Sequence, residues 1–274
     1  FALAQLTSRD GVAVLLTTDE ELGSPTARPV IEETAVGIES ALVLEPSAGG
    51  ALKTERKGVA VYRVDVAGTA AHAGLEPERG ANAVVELAHQ VLAIASLARP
   101  NEGTTVTPSL VDAGSAVNTV PAHAVVHVDV RTRTNAEADR VDAAFSALPA
   151  QTPGTTVDVV REIGVPPLEH RASAELFERA QSVAETLGMQ PLAEASVGGG
   201  SDGNLLAGLG VKVLDGLGAV GGLAHAEGEY VEVDAMAARS QLVAALVADL
   251  LAGPTAADGI WSGTRSTAAS EPGR

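Results

Sequence analysis

The sequence predicts an α/β chain: a mostly parallel sheet domain that is interrupted by an inserted β-α-β-β-α-β unit and then resumes. Three observations carry this. Short continuous apolar runs at 12–16 (VAVLL) and 41–44 (ALVL) read as strands buried on both faces, the pattern of parallel sheet. From about Lys57 the pattern becomes strict alternation, which marks strands with one wet face. From about Gly164 the buried pattern returns.

Composition sets limits on this reading. The 274 residues suffice for two domains of ordinary size. The chain is 46% hydrophobic but only 2% aromatic, so its cores must be built from Ala, Val and Leu. A formal charge of −17 argues against nucleic acid and anionic membrane as partners. With no cysteine there is neither a disulfide nor a thiolate metal site, so any metal must be held by His, Asp and Glu. No apolar run reads as a membrane span.

The elements follow in chain order. "FALAQLTSRDG" reads as the last turns of an amphipathic helix, with Phe1, Leu3 and Leu6 apolar, which suggests a truncated chain. A strand at 12–16 is followed by "SPTARPVIEETA", with Ser24 as N-cap and Pro25 at the first helical position. The strand at 41–44 comes next. In "VAVYRVDV", Tyr62, Val64 and Val66 share one face and Arg63 and Asp65 the other. A helix near 80–98 carries Val84, Leu87, Ala88, Val91, Leu92 and Ala95 at helical spacing. Strands in "TTVTPSLVDAG" and "AVVHVDVRT", a helix near 136–148 and a strand near 155–161 complete the split βαβ arrangement of ferredoxin-like domains. The helix in "SAELFERAQSVAETLG" ends at Gly188. A Gly-rich loop, "SVGGGSDGN", precedes a strand in "VKVLDGLG", and a last helix carries Met236, Val243, Leu246, Val247 and Leu250. Residues after Gly253 read as a disordered tail.

Both buried strands end in acids: Asp19, Glu20 and Glu21 after the first, Glu45 after the second. Ligands of open parallel sheets bind beyond the carboxyl ends of the strands. A lone acidic triplet is most simply read as capping or solvation. Acids on two strand ends, together with His225 in "AHAEGE", shift the balance towards a site, since imidazole selects for zinc and other transition metals. If one of two adjacent glutamates holds a metal, the other is free as a general base. His72 reads as an exposed loop histidine able to reach a ligand, and Asn118 as a turn cap before Pro121. Arg131 sits on the polar face of its strand, either solvating it or binding a carboxylate. The glycines at 198–200 offer backbone N–H groups to an anion, or form a flexible loop. His89, His123, His127 and His170 read as structural.

Taken together, "TTDEELGSP", "LVLEPS", "VAGTAAHAGLEPERGANA", "DAGSAVNTVPAHAVVHVDVR", "GGGSDGN" and "AHAEGEYVEVDAM" resemble the zinc peptidases of the glutamate carboxypeptidase, acetylornithine deacetylase, succinyl-diaminopimelate desuccinylase and aminoacylase group, the twentieth metallopeptidase family. The glutamate carboxypeptidase branch is the most similar. The resemblance implies an incomplete catalytic domain (1–56 and 164–253), a lid and dimerisation domain (57–163) and a tail (254–274). It implies Glu20 as general base, and Glu21, Glu45 and His225 as ligands shared between two zinc ions, with cobalt or manganese as substitutes. His72 and Asn118 would bind substrate, the histidine in the partner's active site, and Arg131 with Gly198, Gly199 and Gly200 would hold a substrate carboxylate. The implied substrate is a small peptide or N-acyl amino acid, the implied partner a second copy, and the implied location cytoplasmic, with a secreted or periplasmic one left open.

Two departures from the family pattern stand out. The H-x-D motif and bridging aspartate of the family lie upstream of the segment matching Phe1, so two metal ligands are missing and the activity of such a fragment is in question. Val165, in "GVPP", stands where the glutamate carboxypeptidases have arginine, which puts glutamate specificity in question. The rival readings are an N-acyl amino acid deacylase of the same family and a non-catalytic dimerising fragment.

Overall fold

The structure is a computed structural model that describes residues 2–253. The tail assigned to 254–274 lies outside the described residues, as does Phe1. The chain opens with a 3₁₀ turn, Ala2–Gln5, in place of the expected last turns of a helix.

The run 12–16 is not a strand. It has no regular structure and is unpaired, with Val14 62% and Leu16 86% exposed. A strand needs a neighbouring ladder for its backbone N–H and C=O groups, and no segment among the described residues supplies one. The helix after it also starts later than expected. It is α1 (Arg28–Thr34), with Pro29 in its first turn. Ser24 is no N-cap, because its φ of 56° is left-handed.

Strand β1 (Ser40–Leu42) and strand β10 (Lys212–Leu214) pair in parallel, Ser40 opposite Lys212. The ladder extends through Val43 N–H to Leu214 C=O and Gly218 N–H to Glu45 C=O. This extension places Glu45 at the carboxyl end of the pair. Strand β2 (Leu52–Arg56) pairs in parallel with β9 (Glu194–Val197).

The inserted unit has the expected order. β3 (Gly58–Ala67), the two-residue β4 (Ala71–His72), α2 (Ala83–Ala95), β5 (Thr105–Ala113), β6 (Thr119–Val120), β7 (His123–Thr132), α3 (Asn135–Ser146) and β8 (Thr156–Val165) follow in sequence. The sheet order β5-β7-β3-β8 is antiparallel throughout, as the split βαβ reading requires. Alternation buries Tyr62, Val64 and Val66 of β3 and Val126, Val128 and Val130 of β7 against α2 and α3. Tyr62 stacks on Phe145 at 3.9 Å and donates its hydroxyl to Asp142.

Helix α2 is rotated relative to the predicted stripe. It buries Ala83, Glu86, Leu87, Gln90 and Ile94, while Val84 and Leu92 face outward. Glu86 is tolerated inside because its carboxylate accepts from Gln90 Nε2 and from the Gln151 and Thr152 backbone N–H groups.

A second core lies under α4 (His170–Thr186) and α6 (Val233–Ala252), with Leu176, Ala180, Leu214, Leu242 and Leu246 at its centre. Gly188, at φ 69°, ends α4: its own N–H bonds to Glu185 C=O and that of Met189 to Ala184 C=O. By length and composition α6 is apolar enough to cross a membrane, against the sequence expectation. Its inner residues are spent on this core, and Asp249 is bound by Arg179. The short helix α5 (Asp202–Gly208) begins at a capping box between Ser201 and Asn204, so part of the supposed flexible loop is a helix start. The antiparallel pair β11 (Gly221–Gly222) and β12 (Tyr230–Val231) flanks His225.

Candidate active site

A cleft of about 1060 Å³ opens beyond the carboxyl ends of β1 and β10. Glu20, Glu21, Glu45, Arg131, Gly199, Gly200 and His225 line it. Of the sequence candidates, His72, Asn118 and Gly198 do not. His72 and Asn118 instead lie together on the β4–β6 ribbon, where Ala73 N–H bonds to Asn118 C=O. The His72 Nδ1 accepts from the Gly74 and Leu75 N–H groups, a role that leaves Nε2 to carry the ring N–H.

The acidic triplet divides by role. Asp19 caps the following turn, its Oδ2 accepting from Thr26 N, Thr26 Oγ1 and Ala27 N, bonds that hold its carboxyl below the usual range. Glu20 faces the cleft. Its pKa is raised to about 6, first by burial and then by Glu45, Asp202 and Glu21. Glu21 is exposed and approaches His225, with Oε2 and Nε2 3.7 Å apart.

The residues present do not make a metal site. Among the described residues no three His, Asp or Glu side chains are grouped so that they could hold an ion. The Glu21–His225 pair is about three-quarters exposed and is not joined by Glu45.

Several cleft residues went unnoticed in the sequence. Arg56 is 4% exposed and binds Asp215 through two nitrogens, at 2.8 and 3.1 Å. Its Nη1 also donates to the Gly199 and Gly200 carbonyls. The Gly-rich loop therefore turns carbonyls towards a cation, where N–H groups towards an anion were expected. Asp202 accepts from Thr17 Oγ1 at 2.8 Å and from Ser24 Oγ. Lys53, eight residues after Glu45, completes the lining. The available signal was the β2 alternation, which sends Lys53 and Glu55 to one face of the strand and Leu52, Thr54 and Arg56 to the other. Burial of an arginine on that second face leaves no trace in composition.

Backbone strain gathers here as well. Among the described residues the non-glycine positions with positive φ are Ser24, Leu223 and His225. Ser24 and His225 line the cleft and Leu223 is two residues from His225. Each such residue costs roughly 1–2 kcal/mol, a strain that clusters at functional sites.

Residues 54–156 match the peptidase dimerisation domain family. Carboxypeptidase G2 of a Pseudomonas strain is 32% identical over 251 residues, covering 88% of this chain and 60% of the relative. One of the subunits of the Escherichia coli p-aminobenzoyl-glutamate hydrolase is 45% identical over 65 residues, 23% of this chain and 15% of the relative. The crystal structure of aminopeptidase PepT from Bacillus cereus superposes with a TM-score of 0.62 at 22% identity, covering 82% of this chain and 62% of that one, a likeness of fold. The chain thus spans about 60% of the length of carboxypeptidase G2. Over most of its length the chain is thus a homologue of carboxypeptidase G2, and over 54–156 it matches the peptidase dimerisation domain.

Proposed function

We propose that this chain is part of a hydrolase that cleaves an amide bond next to a free carboxylate, in the manner of a glutamate carboxypeptidase. Residues 1–56 and 164–253 form the catalytic part, and 57–163 the lid through which two copies pair. The observation that carries the reading is the cleft itself. It lies beyond the ends of parallel strands, and a half-buried carboxylate, Glu20, faces a wall that also bears cations.

In this reading Glu20, as a carboxylate, takes a proton from water as the water oxygen attacks the amide carbonyl carbon. The C–N bond then breaks, and Glu20 returns the proton to the departing amine nitrogen. The relatives point to a metal-dependent reaction, with zinc the expected ion and cobalt or manganese its substitutes. Glu21, Glu45 and His225 are the ligands this chain would offer, but they do not form a closed set. His72 and Asn118, outside this cleft, are assigned to substrate binding, the histidine in the partner's active site, and Arg131 with Gly198–Gly200 to holding a substrate carboxylate.

One observation favours a second reading, an N-acyl amino acid deacylase. Val59, Ile163 and Val165 form an apolar wall of the cleft, with Val59 and Val165 opposite each other in the sheet. Such a wall suits an apolar amino acid better than a glutamate side chain.

The test is turnover of p-aminobenzoyl-glutamate and of N-acetyl amino acids, with and without added zinc, by the chain and by its Glu20→Gln variant. The expected result is release of the amine, falling about 10²-fold or more in the variant. Equal release by both proteins would reject Glu20 as the base. A folded chain with no turnover on any of these amides would support a non-catalytic dimerising fragment.

A further inference from the structure

Most arginines of this chain are held by an acid. Among the described residues, those with no carboxylate partner are Arg9, Arg133 and Arg239, and the first two are exposed. Arg239, on α6, is partly buried. Its guanidinium makes one hydrogen bond, from Nη2 to Gly50 C=O, and so leaves most of its N–H donors unused. Nη1 is buried and has no acceptor among the described residues. Burial lowers its pKa, and no carboxylate works against that shift. A desolvated cation with unused donors is unfavourable until an anion joins it.

The structure has room for that anion. A trough of about 300 Å³ lies along α6 and shares no residue with the active-site cleft. Ala235, Ala238, Arg239 and Leu242 follow one another at helical spacing and form one side of it. Met189 and Leu192, from the segment between α4 and β9, form the other, and the exposed Gln190 adds an amide. The space exists because the two alanines are small, and Leu242, 1% exposed, backs it. The lining is therefore apolar, with one cation and no carboxylate to repel an anion. At this volume the trough is at the small end of ligand pockets. Its occupant must be short, apolar along its body and anionic at one end. Inorganic phosphate would match the charge and leave the apolar walls wet. A carboxylate on a short aliphatic chain matches both.

We propose that this trough is a second binding site, for a small aliphatic carboxylate. Its head takes the unused Nη donors of Arg239, and its chain lies over Ala235 and Ala238 between Met189 and Leu192. The site is independent of the hydrolase reading, because none of its residues belongs to the cleft.

The test is calorimetric titration of the whole chain with hexanoate, hexanamide and acetate, repeated on Arg239→Gln and Ala238→Phe, with circular dichroism as a check on folding. Glutamine removes the charge and can still donate to Gly50 C=O. Position 238 is exposed, so the helix accepts a phenylalanine there while the ring fills the trough. The native chain is expected to bind hexanoate about tenfold more tightly than hexanamide, which lacks the charge, and than acetate, which lacks the chain. Arg239→Gln should bring hexanoate down to the level of hexanamide. Ala238→Phe should weaken hexanoate about tenfold and leave acetate as it was. Should Arg239→Gln not fold, Ala238→Phe and the three ligands still decide. A native chain that takes up no hexanoate, or binds it no better than hexanamide, would overturn the site. So would hexanoate binding that neither substitution changes, since the carboxylate would then sit elsewhere on the molecule.

Discussion

Buried charges in this chain are tolerated where they are fully bonded, and each such cluster holds two segments together. Glu137 shows the pattern clearly. It accepts from Arg140, Thr104 and Arg99, which joins α3 to the start of β5 and to the turn before it. Chiefly through Arg140, then Thr104, these bonds hold its carboxyl down at about 2 against an ordinary 4.5. A depressed folded-state pKa contributes stability that is complete above the unfolded value and is lost as pH falls towards the folded one. Glu137→Gln is therefore expected to lower stability at neutral pH by roughly 2 kcal/mol, the order of a hydrogen bond to a charged group. The gap between variant and native should close as pH drops from about 4.5 towards about 2. Urea unfolding across that range measures it, and a gap independent of pH would reject the ionic origin.

At the scale of elements, the inserted unit was legible because its strands alternate with one face buried, a local pattern that shows even though Val64 of β3 pairs with the distant Val126 and Val159. Alternation in β3 and β7 states both the strand and its buried face, and the structure buries those same valines. The flanking segments were harder to read. VAVLL looks like a buried strand by composition, but a strand exists only with a ladder partner, which no local pattern can reveal. The α2 stripe was misplaced because Glu86 and Gln90 point inward on the strength of bonds to residues about 60 positions away. In the cleft, Glu20, Glu21, Glu45 and His225 were visible as acids and an imidazole near strand ends, whereas Lys53 and Arg56 come from opposite faces of β2 and both reach the cleft, which alternation does not foretell. One close approach ties element to site. A Cβ on Gly218 would sit 2.1 Å from Leu44 C=O and 2.9 Å from Glu45 C=O. Gly218→Ala must therefore push the 44–45 segment away from the end of β10. The expected cost is about 1–3 kcal/mol, read as a lowered melting temperature. It should also weaken whatever binding the cleft shows, and an unchanged melting temperature would mean that the two segments separate freely.

The whole molecule divides its apolar material into two clusters, one under the four-stranded sheet and one under α4 and α6. Polar contacts stitch the two together: Asn204 donates to the Lys57 and Pro166 carbonyls, Arg28 to Gly164 C=O, and Asn135 to Glu169. The first cluster does not cover all of its own domain. β5 is the outer strand of the sheet, with Leu110 67% and Val111 61% exposed, and the neighbouring α2 leaves Leu92 73% exposed. An open strand edge beside an apolar helix face invites pairing with another strand. The match to a peptidase dimerisation domain over 54–156 makes a second copy the natural occupant. Two copies related by a two-fold axis would bring the same edge together from both sides, in one isologous interface. Light scattering on a sizing column should then report twice the 27.5 kDa chain mass. Replacing Leu92 and Val111 together by lysine places like charges across the axis, and the expected product is a folded monomer with an unchanged circular dichroism spectrum. A native chain that runs as a monomer at all concentrations, or a double variant that still dimerises, would remove this edge from the interface.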